Sequence, residues 1–183
     1  SIAVSFLEKL GHPPEETARA LAAAAADAER AAGVTLRLFA AVHRDAPPAA
    51  NARRVEDWLR WLGPALAGID LHGYELEGPT ATQKPAFDVA RAAGLHLRAH
   101  AGEHGTARDV RDAVEILGVA SINHGLRAAE DPGVLRELAA RGIVLHLCPT
   151  SNLLLGLVPS TANTHYGASW KRACGSRSIP TIR

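Results

Sequence analysis

The chain of 183 residues has no methionine, only two cysteines, no appreciable excess of either charge and no long apolar run. Each shortage narrows the choices. Without methionine the chain is either trimmed of its initiator or an internal piece of a longer one, and both readings stay open. Cys148 and Cys174 lie in segments of different character and form no metal-spaced pair, which disfavours a disulfide framework and fits a reducing, cytoplasmic compartment. Twenty basic residues are scattered among 19 acidic ones for a net charge of +1, too weak a field to argue for nucleic acid. No apolar run would cross a bilayer, and Ser1-Ile2-Ala3-Val4-Ser5 lacks the order of a signal peptide, so no membrane partner is expected.

What remains is ordinary globular material, 47% hydrophobic and 21% charged, enough for one domain. Pro13-Pro14-Glu15-Glu16 opens an Ala-rich helix that Gly33 stops, with acids in the first turn where the helix dipole favours them. A strand is expected over Val34–Val42, a helix from Ala49 to Leu62 and a short strand over Gly68–Leu71. Further helices are expected over Pro85–Ala93, from a Thr106 cap to Leu117, and over Pro132–Arg141. Strands are expected over Leu95–Ala99, Ala120–Ile122 and Ile143–Leu147. Strand and helix alternate five times through short connections, which predicts a parallel sheet with helices outside it. Eight such units, typically in about 250 residues, close a barrel.

Three segments carry candidate chemistry. Leu95-His96-Leu97-Arg98-Ala99-His100-Ala101-Gly102-Glu103 ends an alternating strand on a histidine, with a glutamate three residues later. In a parallel α/β protein, strand carboxyl ends are where active sites collect. Ser121-Ile122-Asn123-His124-Gly125 follows, and then Leu147-Cys148-Pro149-Thr150-Ser151-Asn152. Taken singly, His100 and His124 would more often be hydrogen-bonded structural histidines. Cys148 has apolar neighbours, Leu147 and Pro149, and reads as an inert thiol rather than a nucleophile. Thr150, Ser151 and Asn152 read as structural or as supports for neighbouring site residues. His96 shares the strand face of His100 but lies roughly 13 Å deeper at strand rise, too far to share one metal ion.

In combination the three segments resemble the adenosine deaminase family of the amidohydrolase superfamily, over about Phe6 to Ser160. The resemblance implies a partial (β/α)8 TIM barrel, about five of eight β-α units, over residues 1–160. It implies that His100 binds Zn2+, that Glu103 protonates a purine ring nitrogen, and that His124 orients the attacking hydroxide. Gly68-Ile69-Asp70-Leu71-His72-Gly73-Tyr74-Glu75 matches the substrate-binding turn, with Gly73 at the position whose amide donates to the purine. His72 and Tyr74 stand where the family commonly has small and acidic residues, and Asn123 where it usually has glycine. The complete family enzyme converts adenosine to inosine and ammonia with zinc-activated water, so the partner is a small purine nucleoside. Adenine or another aminopurine, and a non-catalytic fragment with half a pocket, are the alternatives.

Two expected ligand groups are missing. No two histidines are separated by a single residue, and no aspartate follows Asp131. On that count the chain supplies one zinc ligand, where catalytic sites keep three, and binds zinc weakly. Residues 161–183 form an irregular tail that carries no acid and no apolar periodicity between Trp170 and Ser178. With G/C-leaning codons, the frame one base away reads RRLVEAGVRVTINTDDP, which resembles the family's last barrel strand and its metal-binding aspartate. The tail therefore reads as frameshifted. A barrel cut to five strands leaves edges through which the chain could self-associate.

Overall fold

A computed structural model describes residues 11–159. The tail, its shifted frame and the domain limit at residue 160 lie outside the described residues. Helix α1, Pro14–Ala32, begins on a proline whose missing N–H is no loss in the first turn and ends at Gly33, whose φ of 65° suits glycine. Five strands follow: β1 Leu38–His43, β2 Leu66–His72, β3 His96–Ala101, β4 Ser121–His124 and β5 Val144–His146. They form one parallel sheet in the order β1-β2-β3-β4-β5. The intervening helices are α2 Pro48–Leu62, α3 Lys84–Ala92, α4 Ala107–Glu115 and α5 Pro132–Ala140, with a short α6, Pro149–Leu154, after β5. Among the described residues no helix is long and apolar enough to cross a membrane.

The expected five β-α units are all present. One boundary moves: Val34–Arg37 was expected within the first strand but lies before it. Glu29 at the end of α1 accepts from the Leu36 N–H at 2.9 Å and from Arg37 at 2.9 Å, so this stretch is tied back to the helix, and Val34 and Leu36 are exposed.

Strand side chains alternate between two faces, and the two faces differ sharply here. Ile69, Leu71, Leu97, Ala99, Ile122 and Leu145 pack under Val55, Trp58, Phe87, Val110, Leu135 and Leu138 of the helices. The opposite face is polar. In register across it lie Ala41, Asp70, Arg98 and Ser121, and one layer nearer the carboxyl ends lie His43 with His72, and His100 with Asn123 and His146. A sheet buried on both sides would be apolar on both. The polar side of this one is a lined surface with histidines at its carboxyl end.

Buried polar side chains brace the loops at that end. Asn51 of α2 donates to the His43 carbonyl at 2.7 Å and to Gln83 at 2.8 Å, and Gln83 in turn donates to the Ala46 carbonyl at 3.1 Å. The Arg44 guanidinium, 4% exposed, donates to Thr80 at 2.9 Å and to the His100 carbonyl at 2.6 Å, linking the end of β1 to the end of β3. Burial pushes its pKa down, and the charges of Glu75 and Asp109 oppose that.

Candidate active site and metal centre

Asp70, in the middle of β2 and fully buried, is the hub of the polar face. Its carboxylate accepts from Arg98 Nε at 2.9 Å and Asn123 Nδ2 at 3.1 Å. It also lies 3.2 Å from His100 Nδ1 and 3.1 Å from His72 Nε2. Burial alone would raise this carboxyl. Hydrogen bonds from His100 and His72 outweigh that and hold it well below the usual carboxylate range.

That arrangement determines how His100 is presented. Its Nδ1 faces two acceptors, Asp70 Oδ1 at 3.2 Å and the Leu71 carbonyl at 3.1 Å, so it carries the hydrogen. The lone pair is left on Nε2, the arrangement of a carboxylate-oriented metal ligand. The His72 ring lies 4.3 Å from that of His100, and ligand atoms of Asp70, His72 and His100 all come within 4.8 Å of one another. Two imidazoles and a carboxylate are donor types that zinc takes. The sequence count was of one ligand; His72 and Asp70 come within reach of His100 only through the register of β2 on β3, Leu71 beside Ala99. Asp70 already receives several donors, so its part is to hold the imidazoles.

Glu103 follows the end of β3, and its carboxylate is 17% exposed. Oε1 lies 3.4 Å from His124 Nδ1 and 4.0 Å from His104 Nε2. His124 is the non-glycine residue with positive φ among the described residues, at 65°, a strained conformation that functional sites often store. Its ring lies 5.5 Å from that of His100. Asn152 of α6 lies with Oδ1 3.0 Å from His124 Nδ1. An amide oxygen only accepts, so His124 carries its hydrogen on Nδ1 and keeps a lone pair on Nε2. The structure thus brings Glu103, His124 and His100 to the ends of neighbouring strands, and it gives the buried Asn152 a specific contact.

Gly73 has φ of 103°, and a Cβ there would come within 3.3 Å of Arg44 Cβ and of its backbone nitrogen. Conformation and close approach both demand glycine at this position. Tyr74, half exposed, meets the His104 ring edge-on at 5.0 Å. His96 sits two layers below His100 and pairs with Ser121 at 2.9 Å, apart from the cluster. Burial pushes the Cys148 thiol up, against any thiolate role. Asp70 was the residue sequence reading passed over. An acid centred in an apolar strand of a parallel sheet was the available signal.

Comparison with known proteins gives consistent matches. The adenosine deaminase family profile fits residues 4–165. An adenine deaminase of Rhizobium rhizogenes is 38% identical over 132 residues, covering 72% of this chain and 41% of the relative. The crystal structure of an adenine deaminase from Arthrobacter aurescens superposes with TM-score 0.83 at 32% identity, covering 93% of this chain and 52% of that one. An amidohydrolase from Burkhoderia ambifaria, crystallised with bound Zn, superposes with TM-score 0.77 at 29% identity, covering 90% of this chain and 45% of that one. The chain spans about half the length of the proteins it matches.

Proposed function

The chain belongs to the adenosine deaminase family, whose members are metal-dependent hydrolytic deaminases, and on that premise we propose that it is the part of an aminopurine deaminase that carries the proton donor. The observation behind this is the placement of Glu103 and His124, 3.4 Å apart, at strand ends beside His100. Adenine is the preferred substrate in this reading, ahead of adenosine, because the relatives cited above are adenine deaminases. Water adds to the carbon that bears the amino group, and ammonia leaves. Glu103, held largely out of water, delivers a proton to the adjacent ring nitrogen. His124, with its lone pair on Nε2, accepts a hydrogen bond from the attacking water and aims it. The Gly73 amide donates to the purine. His100 and His72 would hold Zn2+, with Asp70 behind them; when bound, zinc lets water lose its proton near neutral pH. The free thiol of Cys148 fits a cytoplasmic location.

The test is a chimera in which this chain supplies its half of a full-length adenine deaminase. Release of ammonia from adenine, faster than from adenosine, is expected. A folded chimera inert toward both would leave the non-catalytic reading in front.

Metal binding is testable on the chain alone. Titration with Co2+, followed by its visible absorption, should show one weak site, and His100→Ala or His72→Ala should each weaken it by about tenfold or more. Equal binding by the parent and both variants would remove the site. We also propose that β1 and β5, the outer strands of the sheet among the described residues, let the chain self-associate. Sedimentation should show dimers or larger species that dissociate on dilution, and a monodisperse monomer at all concentrations would refute this.

A further inference from the structure

The chemistry proposed above leaves one buried carboxylate unused. Glu75, 6% exposed, lies in the loop after β2, beyond Gly73. Its Oε1 accepts from the Gly102 N–H at 2.6 Å. Its Oε2 accepts from the N–H groups of Glu103 at 2.8 Å, His104 at 2.6 Å and Gly105 at 2.9 Å. Four consecutive amides of the loop between β3 and α4 thus converge on one side chain from another loop. Consecutive N–H groups that point inward form an anion-binding concavity, and here the anion is built into the chain.

The loop is shaped to that carboxylate. Gly102 has φ of 69°, a conformation that favours glycine. A Cβ on Gly105 would lie 2.9 Å from Glu75 Oε1 and 2.6 Å from Asp109 Oδ2. On the far side, Asp109 accepts from the Thr106 N–H and hydroxyl, both at 2.8 Å, and closes the loop onto the start of α4. With the Glu103 amide itself among the four, little freedom remains between the clamp and the carboxylate of Glu103 beyond that side chain's own torsions.

We propose that Glu75 is a positioning residue for Glu103: its carboxylate holds residues 102–105 so that the Glu103 side chain meets His124. The loop that carries Gly73 and the loop that carries Glu103 are thereby set relative to each other, linking substrate binding to proton delivery. This inference rests on the reading of Glu103 as the proton donor, yet the clamp is measurable without turnover.

Amide hydrogen exchange and side-chain NMR on the chain as it stands provide the test. Glu75→Gln keeps the shape and removes the charge, leaving an amide that cannot accept on both sides. The amides of residues 102–105 should then exchange about tenfold or more faster, while those of β3 and β4 keep their protection. The side-chain carboxyl resonance of Glu103 and the ring resonances of His124 should shift together. Gly105→Ala, which crowds the same carboxylate without removing it, should produce the same pattern in milder form. Unchanged 102–105 exchange in Glu75→Gln would overturn the proposal. So would loss of protection spread evenly over the sheet, which would mark Glu75 as a general stabilising residue. If the clamp behaves as described and the full-length chimera deaminates nothing, the proposed function fails and the clamp stands.

Discussion

Glu103→Gln, made in the full-length chimera, should lower turnover of adenine by about 10²–10⁴-fold, the usual contribution of one positioned acid or base, and leave the metal content unchanged. The amide is nearly the same shape and can still accept from a neighbour, but it has no acidic proton to give to the ring nitrogen. The Glu103 side chain is 17% exposed and lies 3.4 Å from His124 Nδ1, at the strand ends beside His100. His100→Ala should behave differently and lose metal and turnover together, because the role proposed for it is that of a ligand rather than a proton donor. The two measurements to compare are kcat and metal per chain by atomic emission. A Glu103→Gln enzyme as fast as its parent would remove Glu103 from the chemistry, and a metal-free one would make it a ligand.

Asp70→Asn should be the most damaging substitution for the fold of the chain itself. The Asp70 carboxylate is fully buried and is the counter-charge of Arg98, whose side chain is 16% exposed. Removing one partner of such a pair leaves the other charge uncompensated, at a cost of about 3–5 kcal/mol. The pH dependence has a definite sign. A carboxyl held below its unfolded value contributes stability that is complete above that value, near 3.9, and is lost as pH falls through the native one. The gap in Tm between parent and variant should therefore be wide at neutral pH and close only in strong acid. Thermal melts at pH 7 and at successively lower pH would show it, and equal Tm values at neutral pH would refute the hub role. Asp70→Asn should also weaken Co2+ binding, since His100 would lose the acceptor that holds its hydrogen on Nδ1.

Much of the molecule was legible in the amino-acid order because the signals were local. Gly33 after an Ala-rich run, Pro132 opening a helix, and the alternation from Leu95 to Ala101 each concern residues within a turn or two of one another. The structure adds a cap to the helix that Pro132 opens, since Asp131 accepts from the Gly133 and Val134 amides. Val34–Arg37 was misplaced for a tertiary reason. Nothing in its apolar alternation reveals that Glu29, several residues earlier, has taken the Leu36 amide.

The sequence by itself determined the five β-α units, the family resemblance carried by His100, Glu103 and His124, and the glycine at position 73. Periodicity, turn residues and motif spacing are properties of neighbours along the chain. Only the tertiary structure decided that Asp70 and His72 stand beside His100, and that Asn152 selects the tautomer of His124. It alone showed that one carboxylate, Glu75, gathers four amides around Glu103. Those contacts join residues 27 to 30 positions apart or nearly so, and they exist because parallel strands laid in one register bring their carboxyl ends to the same edge of the sheet.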